Sequence, residues 1–88
     1  MKTDINCGSA YFFVIEKTED SGKYIKKGMR FLDIDGPNWC LNPCENRVFE
    51  IENETKIRNL QLKRHDSKVV GVAHVTFNIA DFREFKED

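Results

Sequence analysis

The chain has 88 residues, 40% hydrophobic and 33% charged. That balance fits one small globular domain spanning 1–88 and excludes collagen-like, low-complexity and disordered chains. A domain this short buries roughly 60–65% of the surface its unfolded form exposes, so each large apolar side chain weighs heavily in the core. Fourteen Lys and Arg against fifteen Asp and Glu leave a formal charge of −1, which excludes a strong overall field toward nucleic acid or an anionic membrane.

The longest early apolar run, Tyr11-Phe12-Phe13-Val14-Ile15, stops at Glu16. It is too short for a secretory h-region or a membrane span. The three cysteines, Cys7, Cys40 and Cys44, are an odd number and do not make a closed disulfide framework. Together these features predict a cytoplasmic protein with free thiols and no membrane association. Asn53-Glu54-Thr55 matches a glycosylation acceptor, a pattern without meaning off the secretory route.

In chain order, Ala10 to Lys17 is aromatic and β-branched between Gly8-Ser9 and a polar stretch ending at Gly22, and it predicts a first strand. Both of its faces are apolar at the centre, as in a strand covered on both sides or one closing a barrel. Lys26-Lys27-Gly28 reads as a turn, with Gly28 supplying backbone freedom, and Met29 to Ile34 as a second strand ending in an Asp35-Gly36 turn. The passage Ile25 to Phe31 resembles strand entries in SH3-like barrels. Residues 36–46 hold both prolines and the only tryptophan. They read as an irregular segment anchored to the core through Trp39 and Leu41.

Arg47 to Glu52 alternates, with Phe49 and Ile51 on one face. Asn53-Glu54-Thr55 reads as a tight connection, and Lys56 to Arg64 alternates again with Leu60 and Leu62 inward. His65 to Lys68 reads as a polar turn. Val69 to Ile79 is the longest predicted strand; Val69, Ala73, Val75, Phe77 and Ile79 share a face on which Gly71 marks a bend or bulge. Residues 81–88 read as a short helix: Asp81 and Glu84 stand in the capping-box relation, and Phe82 and Phe85 lie on one face. The expected architecture is mainly β, a five-stranded curled antiparallel sheet or small SH3-like barrel with a short C-terminal helix.

The small net charge hides blocks. Residues 1–20 carry −2, 23–30 carry +4, 33–54 carry −5, 56–68 carry +4 and 81–88 carry −2. Either neighbouring strands pair these charges across the sheet, Glu50 and Glu52 against Lys56, Arg58 or Lys63, or the basic blocks meet on one face that takes an anionic partner.

Several constellations bear on chemistry. Cys40 and Cys44 are separated by three residues, a spacing seen in zinc sites, but Cys7, His65 and His74 stand at no recognised distance for completing a tetrahedron. Asp33-Ile34-Asp35-Gly36 lacks the glycine and glutamate positions of a calcium loop. Neither Cys40 nor Cys44 has a nucleophile motif to pair with His65 or His74, and no phosphate loop or triad stands out. No metal, no cofactor and no catalysis are expected. The leading expectation is a non-catalytic protein-binding module. Small phage and mobile-element accessory proteins and inhibitors act in this way, by masking a partner surface. Trp39 with its loop, the basic group Lys26, Lys27 and Arg30, and Tyr24 are the binding candidates. The alternative is a small-barrel binder of single-stranded nucleic acid. It would stack bases on Tyr11, Tyr24 and Trp39 and contact phosphates through Lys26, Lys27, Arg30, Arg58, Lys63 and Arg64.

Overall fold

The computed structural model describes residues 8–86. Its centre is strand β1 (Ser9–Lys17). Strand β4 (Ser67–Thr76) pairs antiparallel with the whole of β1 on one side. On the other side β1 is shared by two short antiparallel strands placed end to end. β2 (Arg30–Leu32) lies beside Val14 to Glu16, and β3 (Asn38–Trp39) lies beside Tyr11 and Phe12. A helical turn α1 (Pro43–Asn46) and a fifteen-residue helix α2 (Val48–Leu62) then carry the chain to β4. The molecule is thus mainly β with an antiparallel sheet, as the aromatic and β-branched runs require.

Among the described residues the sheet has four strands, not five, and it is open rather than a barrel. Of residues 47–64, expected to add two strands, 48–62 form α2 instead and Lys63 and Arg64 enter the tight turn that follows. Glu, Lys, Arg, Gln and Leu supply helix propensity throughout this stretch, and neither Gly nor Pro interrupts it. The helix turns Ile51, Thr55, Arg58 and Leu62 toward the rest of the fold, and of these Leu62 is buried. Asn53-Glu54-Thr55 is a turn of this helix; Thr55 donates its hydroxyl back to the Ile51 carbonyl at 2.7 Å. The expected C-terminal helix is also missing over its described part, since residues 77–86 have no regular secondary structure. A helix this short needs a packing surface, and Phe82 and Phe85 both stay exposed.

Two turns follow the sequence closely. Gly28 takes φ +92°, a conformation that favours glycine, and closes the β1–β2 connection by donating to Lys17 O at 2.9 Å. Asp66 at φ +50° ends the tight helical turn Lys63–His65 and redirects the chain into β4, where Asp is one of the few tolerated residues. The bulge comes beside Gly71. Val14 faces Gly71 while Ile15 faces Val69, so Val70 is the extra residue. Val69 is therefore on the opposite face from Ala73 and Val75, contrary to simple alternation.

The core is small. Phe13, 1% exposed, meets Trp39 edge-on at a 5.1 Å centroid distance, and Pro43 and Leu62 are buried with it. What fastens α2 to the sheet is largely polar. Asp33, just past β2 and 3% exposed, accepts two hydrogen bonds from Arg58, Nε to Oδ2 and Nη2 to Oδ1, both 2.7 Å. Arg58 Nη1 also donates to Gln61 Oε1 at 2.9 Å. Asn59 Oδ1 accepts from the Val69 N–H at 2.8 Å, joining α2 to β4. The Arg58 pKa is raised above the ordinary arginine value, first by its hydrogen bond to Asp33 and also by the charges of Asp33 and Asp35, with burial opposing. A base whose pKa rises on folding keeps its full contribution below its unfolded value and loses it only above the folded one. The Arg58 charge therefore supports the fold throughout the neutral range.

Gly36 is required beside this pair. A Cβ there would run into the Asp33 carboxylate and lie 3.0 Å from Arg58 Nε. Arg58→Leu leaves Asp33 buried without its partner, and a loss of about 3–5 kcal/mol is expected in urea unfolding. Gly36→Ala is expected to lose about 1–3 kcal/mol in the same assay through forced displacement of the pair.

Candidate functional site

The structure separates the sequence-predicted binding residues into two places. Lys26, Lys27 and Tyr24 are on the β1–β2 connection, and Arg30 opens β2 opposite Glu16. Trp39 lies on β3 opposite Tyr11. Five β1 positions separate the two, roughly 17 Å along a strand.

One cation of the basic group, Lys26, pairs with a local acid, and Lys27 meets the same acid through its backbone. Asp20 Oδ1 accepts from the Lys27 N–H at 2.8 Å, and Asp20 Oδ2 is 4.0 Å from Lys26 Nζ. Glu16 sits between Arg30 of β2 and Lys68 of β4 in the register. Elsewhere Arg47 pairs with Glu50 at 3.4 Å and Arg58 with Asp33. Charges of opposite sign thus meet locally, through partners other than the cross-strand ones expected. Glu50 and Glu52 are on a helix and face no neighbouring strand. Tyr24 is 78% exposed, with Lys23 Nζ 5.5 Å from its ring centroid.

The second place is the corner from Asn38 to Phe49. Trp39 is half-buried, and its edge-on contact with Phe13 makes it part of the core. Pro43, fully buried, starts α1, where the N–H it lacks would have no helical partner anyway. Asn42 caps the turn, its Oδ1 accepting from the Cys44 N–H at 3.0 Å. The Arg47 N–H donates to Pro43 O at 3.0 Å and the Ile51 N–H to Arg47 O at 2.9 Å, so α1 runs into α2 without slack. Yet this fixed corner leaves Leu41 (72% exposed), Val48 and Phe49 (83% exposed) facing solvent. Of the two expected anchors, Trp39 takes that role together with Pro43, and Leu41 does not. Beside Trp39 and Leu41 a concavity of about 320 Å³ is bounded by Asn42, Pro43 and Arg47. The sequence signal for Phe49 was misread because its alternation with Ile51 placed it inside a strand. On a helix those two residues are 200° apart, and only Ile51 turns inward.

A larger concavity, about 670 Å³, follows the seam between Asp33–Arg58 and the tight turn, with Ile15, Ile34, Leu60 and Arg64 at its walls. Several of its polar groups hold the structure, while Asp35 and Arg64 also line it. Arg58 holds Asp33 and Gln61, and the His65 carbonyl accepts from Lys17 Nζ at 2.6 Å and from Ser67 Oγ at 3.0 Å. On the sheet, Tyr11 and His74 stack across β1 and β4 with centroids 4.3 Å apart, and His74 Nε2 lies 3.0 Å from Ser9 Oγ. Cys40 and Cys44 are exposed free thiols, and Cys7 lies outside the described residues. Among the described residues no three His, Cys, Asp or Glu gather as a metal site would need. No described helix is long and apolar enough to cross a membrane.

Comparison with known proteins finds no matching family model, no matching curated protein and no matching solved structure.

Because Trp39 packs on Phe13, Trp39→Ala is expected to destabilise the fold by about 3 kcal/mol in denaturant titration. An unchanged midpoint would mean that the indole is held outside the core.

Proposed function

We propose that the chain is a non-catalytic protein-binding module and that the Trp39 corner is its docking point. The observation that carries this is the pairing of rigidity with apolar exposure there. Leu41, Val48 and Phe49 stay open to solvent on a segment fixed by Trp39, the Asn42 cap and buried Pro43. Pre-ordered apolar groups bind without a large ordering cost, and large aromatics dominate interface energies. Trp39 supports the corner from behind, while Phe49 and Leu41 make the contact. The chemistry that matches is a partner protein with an apolar groove, and covering that groove is how a small accessory protein or inhibitor would act.

The test compares full-length tagged chains in capture from extract of the native cells, read by mass spectrometry. Phe49→Asp and Leu41→Asp are both surface changes and are expected to keep the melting temperature while losing the captured partner. An identical captured set from wild type and both variants would overturn the assignment.

One observation favours a second reading as a single-stranded nucleic-acid binder: exposed Tyr24 shares its connection with Lys23, Lys26 and Lys27. Titration with mixed-sequence oligonucleotides at low salt tests it, since phosphate contacts are strongest there. On this reading binding occurs and Tyr24→Ala weakens it. No binding at low salt removes it.

A further inference from the structure

The basic block 23–30 and the end of the basic block 56–68 meet at one end of the sheet. The last residues of β1 bring them together. On one side the Gly28 N–H donates to Lys17 O and the Lys17 N–H to Met29 O, both at 2.9 Å. On the other side the Thr18 N–H donates to Asp66 O at 2.7 Å, and Lys17 Nζ donates to His65 O at 2.6 Å. The β1–β2 connection and the tight turn after α2 thus flank the same strand end, roughly 10 Å apart across the sheet.

Residues 16–30 and 63–68 hold eight Lys and Arg against four Asp and Glu, whereas the rest of the chain holds six against eleven. The charge is therefore polarised although its total is −1. A polyanion is drawn to this end and repelled by the remainder. Lys23, Lys27, Arg30, Lys63, Arg64 and Lys68 are all exposed, and among the described residues none of them forms a salt bridge.

Two shallow hollows lie between these cations. One, about 320 Å³, has Lys17, Lys27 and Lys68 at its walls, and the other, about 450 Å³, has Lys63 and Lys68. They share Thr18 and Lys68, so they adjoin and make one strip from the β1–β2 connection to the turn. Glu16, Glu19 and Asp66 interrupt the strip, which therefore offers spaced cations and not one dense anion pocket. Spaced cations suit a chain that carries a charge at each repeat. Tyr24 favours nucleic acid over an acidic protein as that chain. Its ring is 78% exposed on the same connection, with Lys23 Nζ 5.5 Å from its centroid, and a base can stack on such a ring.

We propose that this end of the sheet seats a single-stranded nucleic acid, with phosphates on Lys27, Lys68, Lys63 and Arg64 and a base on Tyr24. The inference deepens the nucleic-acid reading above and rests on it. What it adds is the far half of the site, the turn after α2. It also removes three residues from that site. Arg58 is held by Asp33 and Gln61, Tyr11 is stacked on His74, and Trp39 packs on Phe13.

Fluorescence anisotropy with a labelled mixed-sequence DNA of about 12 nucleotides reads binding to the full chain. Binding at low salt is expected, with log affinity falling by about 3 per decade of salt for four phosphate contacts. Lys63→Gln with Lys68→Gln is expected to weaken binding about tenfold and to lower that slope by about 1.4. Tyr24→Ala is expected to weaken binding with the slope unchanged. Arg47→Gln with Lys56→Gln removes the same charge away from the strip and is expected to change affinity by less than about twofold. Ultraviolet cross-linking of the wild type to the same DNA needs no variant to fold. Cross-linked peptides are expected to contain Tyr24 and residues 63–68. No binding at low salt would overturn this proposal together with the reading it rests on. Binding weakened equally by the two double variants, or cross-links absent from 63–68, would overturn the strip and leave the Tyr24 connection alone as the site. Displacement of the DNA by polyglutamate at equal charge would overturn nucleic acid as the occupant. None of these outcomes bears on partner capture through Phe49.

Discussion

The position of α2 depends on an ion pair set beside a small apolar core. Asp33 follows β2 and Arg58 sits in the last half of α2, so their two 2.7 Å hydrogen bonds join the sheet edge to the helix. A helix whose inward series is Ile51, Thr55, Arg58 and Leu62 has little apolar stripe with which to hold itself. Arg58 and Asn59 replace that stripe with directed bonds, one to each side of the sheet. Directed bonds fix geometry where sparse apolar contacts would allow sliding. Gly36 is part of the same device, because only a residue without Cβ lets the chain pass so close to the carboxylate.

This arrangement explains which parts of the structure were legible in the sequence. β1 and β4 announce themselves because their side chains pack against neighbours on the pleated surface, and β-branched and aromatic residues meet that demand. The bulge was visible in Gly71, although its effect on the facing of Val69 was not. Residues 48–62 misled because Val48 to Glu52 alternates by chance. The true inward face also contains polar residues, whose partners lie far away in sequence: Arg58 finds Asp33 25 positions upstream. A periodicity reading sees apolar spacing, and α2 is fastened in part by the polar side chains Arg58 and Asn59. The C-terminal arm shows the converse, with capping residues and an apolar pair but no surface to pack on.

The candidate site was partly legible. Trp39 and its proline-bounded segment stood out, and the structure adds that the tryptophan faces inward while Leu41 and Phe49 face out. Its place on the helix, which the alternation concealed, is what makes Phe49 exposed. Three short-range ion pairs form across or within the charge blocks, at Asp20, Glu50 and Asp33, and Glu16 lies beside Arg30 and Lys68 in the sheet register. Among the described residues, apolar surface stays exposed at the Trp39 corner.

The polar tie between helix and sheet is tested most directly by a double-mutant cycle on Asp33→Ala and Arg58→Ala, read by urea unfolding. If the pair holds α2 in place, each single change is severe and the double is little worse, with a coupling of about 2 kcal/mol or more. Additive losses, within about 0.5 kcal/mol, would contradict the account and leave α2 held by something other than this pair.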